Sequence, residues 1–272
     1  MMIPDKLYLE REIQLPLTFK NVWDRIVENE CHSNAIWESN FMKIVTSSHS
    51  SSKQAYELVR LWAINNLIAS WSFPRYSLLL AAKAPSDFIR HLLIANAWDE
   101  SGGSQFPRLS HFRMAVDLCK LFGFNKDEIE NPKPLKTIKE HVNGHFESCL
   151  NDSFEFGLGM LCLIEEMTTP EFIRILNSLT KSWEIGSGKA LTDFILGGSA
   201  YFTENIEADE RHRLEMAEIV AASLKIKGIN LEDEIEVTKA LEPVRNGMKK
   251  SIGLRHNFLE GVFSEIQKLS SS

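Results

Sequence analysis

The sequence has no CxxC pair, no dense basic stretch and no apolar run long enough to span a bilayer. Its cysteines, Cys31, Cys119, Cys149 and Cys162, are scattered, which excludes a disulfide scaffold and leaves buried free thiols as their role. A net charge of −7 and a pI near 5.7 exclude a general affinity for nucleic acid or anionic lipid, since both need a basic face. With no secretory signal in view, the expectation is a cytoplasmic protein that binds neither nucleic acid nor membrane. Gly102-Gly103 and Gly197-Gly198 follow no strand and precede no Lys-Ser/Thr, so neither is a phosphate loop. Local sequence suggests no catalytic Ser-His-Asp or Cys-His arrangement. Strand-length alternation and hairpin dipeptides are also missing, which removes the sheet-based folds.

Helical periodicity is what the chain has instead. After an extended arm over residues 1–16, Phe19, Val22, Trp23, Ile26 and Val27 form a 3.6-residue stripe. A short helix through Ile36, Trp37, Phe41 and Ile44 follows, then a polar linker over Thr46–Lys53. A helix through Tyr56, Val59, Trp62 and Leu67 is expected to end near Pro74, which lacks the backbone donor. Pro85-Ser86-Asp87 opens another that reaches Glu100, where Ser101-Gly102-Gly103-Ser104 breaks it. Further helices carry His111 to Leu121, Ile138 to Leu150 and the apolar run FEFGLGMLCLIEEM; Pro170 then divides that last helix from one running to Trp183. Tyr201–Glu215, a helix through Ile219–Leu224 and one from about Leu231 or Leu241 to Leu269 complete the chain. The reading is an all-α protein, a single domain over residues 1–272 built as a helical bundle.

Chemistry concentrates where polar groups interrupt these apolar faces. Asn205, Asp209 and His212 stand at i, i+4 and i+7 on one face of one helix, with Tyr201 and Ala208 as apolar neighbours. A carboxylate and an imidazole in such a setting need a partner or a metal to offset their desolvation. Glu165 or Glu166 interrupts an apolar helix, and Glu100 ends another beside the Gly-Gly break. His111 comes eleven residues later, which restores the same face in a continuous helix. Inward carboxylates and imidazoles from several helices are the donor set that iron or manganese prefers.

NAWDESGG (Asn96–Gly103), His111-Phe112 with Leu121-Phe122-Gly123, GLGMLCLIEEMTTP (Gly157–Pro170) and YFTENIEADERH (Tyr201–His212) together resemble the haem-oxygenase-like di-iron oxidases, a family of iron-containing redox enzymes. The similarity runs from about Leu58 to Glu215. It implies a haem-oxygenase-like multi-helix bundle with a central cavity and a homodimer. It implies Fe(II), one or two per chain, with manganese as the alternative ion, and a reaction between O2 and a small amino-acid-like or fatty-acid-like substrate. It further implies that Glu100, His111, one of the 165/166 pair and His212 hold one iron, and that Asp209 helps hold the other. The family's Glu-Met-Thr-x-Pro run favours Glu166, with Glu165 as the alternative. Asn205 stands where the family usually has a His. A neutral amide is a weaker ligand, so the competing expectation is a single-metal or metal-free relative of the same fold.

The remaining polar and aromatic residues are read as ordinary structure. His141 and His145, at i and i+4, are assigned to an exposed polar helix face with Lys139, Glu140 and Asn143. Trp62, Trp71, Trp98 and Trp183 are assigned to the core.

Overall fold

The computed structural model of the chain describes residues 15–32, 36–47, 52–103 and 110–271, apart from the side chains of Asp209 and Glu210. The arm expected over 1–16 falls almost wholly outside these residues. Among the described residues there is no strand. Twelve α-helices follow one another: α1 (Leu17–Val27), α2 (Asn40–Thr46), α3 (Lys53–Lys83), α4 (Asp87–Glu100), α5 (His111–Leu121), α6 (Lys126–Glu130), α7 (Lys136–Asn151), α8 (Phe154–Ser187), α9 (Leu191–Gly197), α10 (Ala200–Ile226), α11 (Glu234–Ala240) and α12 (Glu242–Ser271), with a π-helical turn at Glu28–His32. No helix among them is long and apolar enough to cross a membrane.

Serine hydroxyls start several of these helices by accepting an orphan backbone N–H: Ser52 for α3, Ser86 for α4, Ser110 for α5 and Ser153 for α8. Two expected breaks do not occur. Pro74 lies inside the 31-residue α3 and Pro170 inside the 34-residue α8. An interior proline costs about 3 kcal/mol, but beyond Pro74 the same helix buries Tyr76, Leu80 and Ala81, and beyond Pro170 it buries Phe172, Ile175, Leu179 and Trp183. Each buried large side chain returns roughly 1.5–3 kcal/mol, so continuity wins. The Tyr201–Glu215 segment and the Ile219–Leu224 segment are likewise one helix, α10.

Helix α8 packs against α3, α10 and α12 around a common apolar core. Trp62, Phe172, Tyr201 and Phe202 form an aromatic cluster at its centre, and Trp183, Phe194, Tyr56 and Phe122 continue it. Trp62 and Trp183 are fully buried as expected, whereas Trp71 and Trp98 are about half exposed. Arg75 stacks on the exposed Trp71 ring. All four cysteines are buried, and none is in a disulfide.

Candidate metal centre

Four helices deliver the site. Glu100 is the last residue of α4 and His111 the first of α5. Gly102 and Gly103 carry the chain out of α4 at φ 100° and 52°, conformations that glycine adopts without a Cβ penalty. Glu165 comes from the middle of α8, and Asn205 and His212 from α10. All five residues are buried, His212 completely.

Glu100 sits between two imidazoles. Its Oε2 lies 2.5 Å from His111 Nδ1 and its Oε1 3.3 Å from His212 Nδ1. Glu165 Oε2 approaches the same His212 nitrogen at 3.5 Å, and its other oxygen accepts from Asn96 Nδ2 at 2.8 Å. Asn96 is held in turn by the Ser77 hydroxyl, which donates to its Oδ1 at 2.8 Å. Of the 165/166 pair, Glu165 is therefore the one brought to Glu100 and His212. Glu166, about 100° further round α8, turns toward Arg213 Nε, 2.9 Å away.

This donor set fits a metal ion. Glu100, Glu165 and His212 each offer a ligand atom, all within 4.8 Å of one another. His212 Nδ1 is buried and lacks hydrogen-bond geometry to any partner, although two carboxylate oxygens lie near it. Bonds of about 2.1 Å to one ion separate neighbouring ligand atoms by roughly 3.0–3.5 Å, and His212 Nδ1 lies 3.3 and 3.5 Å from the two carboxylate oxygens. In the metal-free chain the cluster holds its own protons. Burial alone would raise Glu100, but the His111 and His212 imidazoles outweigh it and draw the carboxyl down to about 2. Burial alone would lower His212, but Glu100 and Glu165 push it up to about 11. Burial raises Glu166 above the usual carboxylate range, with the Arg213 guanidinium opposing.

Of the residues expected from the sequence, Glu100, His111, Asn205 and His212 line or adjoin one another, and Glu165 replaces Glu166 at the centre. His111 meets the opposite oxygen of Glu100 from His212. Asn205 lines the cavity and donates its Nδ2 back to the Tyr201 carbonyl at 2.5 Å. The side chain of Asp209 lies outside the described residues. On the outer side, Arg211 bonds Asp99 at 2.7 Å and contacts His212 Nε2 at 3.3 Å.

Residues 60–238 match the family described as iron-containing redox enzymes. The chain belongs to that family. A 4-aminobenzoate synthase of Chlamydia trachomatis serovar D is 29% identical over 175 residues, covering 62% of this chain and 69% of that protein. A CADD-like protein of unknown function from Nostoc punctiforme superposes with a TM-score of 0.68 at 14% identity, covering 92% of this chain and 99% of that one. A domain of unknown function with a haem-oxygenase-like fold from Shewanella denitrificans gives 0.60 at 16% identity, covering 93% and 92%. The fold of this iron-containing redox enzyme family member is accordingly haem-oxygenase-like and all-α.

A cavity of about 80 Å³ opens beside the Glu100–Glu165–His212 cluster, lined by Glu100, His111, Glu165 and Asn205 at that end. Glu171, Arg255, Asn66 and Tyr201 line it further along. Two groups there run against the expectations from sequence. His141 and His145 are buried, not exposed, because α7 buries the stripe Ile138, Val142 and Cys149, and both imidazoles fall on it. Glu171, which follows the break expected at Pro170, instead lies inside the continuous α8 as the buried partner of Arg255. Asn96 was legible: it stands one turn before Glu100, on the same helix face.

Proposed function

We propose that the chain is a non-haem iron oxidase that uses O2 to oxidise a small molecule in this cavity, with Glu100, Glu165 and His212 as the metal ligands and His111 and Asn205 beside them. The supporting observation is the buried Glu100–Glu165–His212 cluster, with His212 Nδ1 left unpaired next to a cavity. The chlamydial relative's name supports a small molecule over a macromolecule as substrate. The acidic composition and the buried thiols support a cytoplasmic setting.

Bound ferrous iron would supply the activation of oxygen. The protein's own part is positional and electrostatic. Two carboxylates would offset the ion's charge, and the Ser77–Asn96 chain fixes the Glu165 rotamer as an outer-layer partner does. The imidazole of His111 orients Glu100. Apolar walls from Phe73, Leu163, Ile164 and Phe172 keep water from the reacting groups.

Asn205 favours a second reading, a single-metal or non-oxidising relative, since its amide is tied to its own helix and offers one neutral oxygen. Anaerobic Fe(II) reconstitution, metal counting and an oxygen-pulse absorbance trace separate the two. Two irons and a transient visible band are expected for the oxidase with a full site. One iron with O2 consumption assigns a mononuclear oxidase, and no specific iron leaves only the non-oxidising reading.

A further inference from the structure

The cavity has a second pole. Along α8, Glu171 lies six residues beyond Glu165, about 9 Å along the helix axis. There Glu171 takes the side of the Arg255 guanidinium: Nε donates to its Oε2 at 3.0 Å and Nη2 to its Oε1. Nη1 donates to Asn66 Oδ1 at 3.1 Å. These bonds use three of the five N–H donors of an arginine, leaving two. Beside it on α12, Ser251 is bonded to His145 Nε2 at 2.8 Å. The other nitrogen of His145 faces the His141 carbonyl at 2.8 Å and must donate to it, so Nε2 accepts and the Ser251 proton is committed. Ser251 keeps its lone pairs. His141 lines the cavity, and its Nδ1 is buried with no hydrogen-bond partner. Burial holds this imidazole neutral, with its pKa well below the ordinary value and the Leu254 backbone opposing the shift.

One pole therefore offers spare donors on Arg255 next to acceptor lone pairs on Ser251 and an unpartnered ring nitrogen on His141. The charge balance decides what suits it. Arg255 is already matched by Glu171, so a lone carboxylate would add an uncompensated negative charge beside a buried glutamate, and a lone ammonium would face the guanidinium. A group that is neutral overall and presents an acceptor next to an N–H donor meets both sets.

We infer that Arg255, His141 and Ser251 form the anchoring subsite for the substrate, and that it takes a net-neutral head group pairing an acceptor with an N–H donor: an α-amino carboxylate zwitterion or a primary carboxamide. This rests on the cavity being the substrate site, and it excludes a simple fatty acid, whose head group is a lone carboxylate. The subsite fixes one end of the substrate about 9 Å along α8 from Glu165, so the atom to be oxidised lies within a short chain or one ring of the head group.

Four probes of one size test it by calorimetry on the full chain, both metal-free and Fe(II)-loaded: phenylalanine, 3-phenylpropanamide, 3-phenylpropanoate and phenethylamine. At least one of the first two is expected to bind tenfold or more tighter than both single-charge probes. The better of the two identifies zwitterion or carboxamide. His141→Leu and Arg255→Lys are expected to weaken that probe tenfold or more while thermal unfolding confirms a folded chain. His141→Leu preserves the Arg255–Glu171 pair, so it reports even where an Arg255 variant fails to fold. Equal affinity for all four probes, preference for a single-charge probe, no binding of either neutral probe, or an unchanged affinity in folded His141→Leu overturns the inference. The metal-free arm keeps the head-group preference separate from iron binding: a chain that never takes iron can still show the preference, and an iron-loaded one can lack it.

Discussion

Glu165 and Glu166 are neighbours of the same chemical type in an apolar helix, and only one can face the cluster. Glu165 meets His212 and is held by Asn96, whereas Glu166 pairs with the half-exposed Arg213. Glu165→Gln is expected to abolish tight Fe(II) binding, while Glu166→Gln retains the wild-type metal count by elemental analysis. Loss of metal in Glu166→Gln alone would reverse the assignment. Asn96→Ala leaves the ligands in place but frees the Glu165 rotamer, and outer-layer losses of this kind cost about 10–100-fold in metal affinity. At Asn205, the amide is turned to the Tyr201 carbonyl and presents one neutral oxygen. Asn205→His is expected to add iron up to a second equivalent per chain. An unchanged count in a folded variant would show that the second ion lacks more than this residue.

At the scale of whole helices, the close contact of α8 with α12 sets the width of the bundle beneath the cavity. Gly159 and Gly247 sit at that crossing, and a Cβ on either would collide with backbone of the other helix, at the Val244 carbonyl for Gly159 and the Phe156 carbonyl for Gly247. Backbone cannot rotate away as a side-chain end can. Gly159→Ala and Gly247→Ala are therefore each expected to destabilise by about 3 kcal/mol, the upper part of the overpacking range, by urea unfolding. Gly253 has open space around its Cβ position, so Gly253→Ala should instead match or exceed wild type, as Ala is favoured over Gly within a helix by about 1 kcal/mol. Only a contact argument separates Gly247 from Gly253 on the same helix.

For the whole molecule, the charged cluster couples stability to pH and metal. Glu100 titrates near 2 in the folded metal-free chain against an ordinary 4.5, so its contribution is present above 4.5 and lost as pH falls toward 2. His212 titrates near 11 against 6.5, so its contribution is full below 6.5 and lost as pH rises toward 11. The metal-free chain should accordingly resist unfolding best, as far as this pair is concerned, between about 4.5 and 6.5. Metal changes the balance, because a protonated His212 cannot ligate. Fe(II) binding at pH 7 is expected to release about one proton from this group, measured as the dependence of binding enthalpy on buffer ionisation. No buffer dependence would place His212 outside the metal's ligands. Iron at a hundredfold excess over its Kd should also raise folding stability by about 2.7 kcal/mol.

The sequence by itself determined the all-α class, most helix positions and the chain of buried polar residues at Glu100, His111, Asn205 and His212, because period and burial are local signals carried by each helix's own side chains. It also showed that a Glu from the 165/166 pair faces inward, and the family resemblance supplied iron as the expected ion. Tertiary structure decided the rest. The run to Trp183 through Pro170 depends on burial against other helices outweighing a missing backbone bond. The choice of Glu165 rests on Asn96 and His212, residues about 70 and 47 positions away in the chain. The pole formed by His141, Ser251 and Arg255 joins α7 to α12, and no local pattern could reveal it: a histidine on a helix stripe acquires its partner, or its lack of one, only when another helix packs against it.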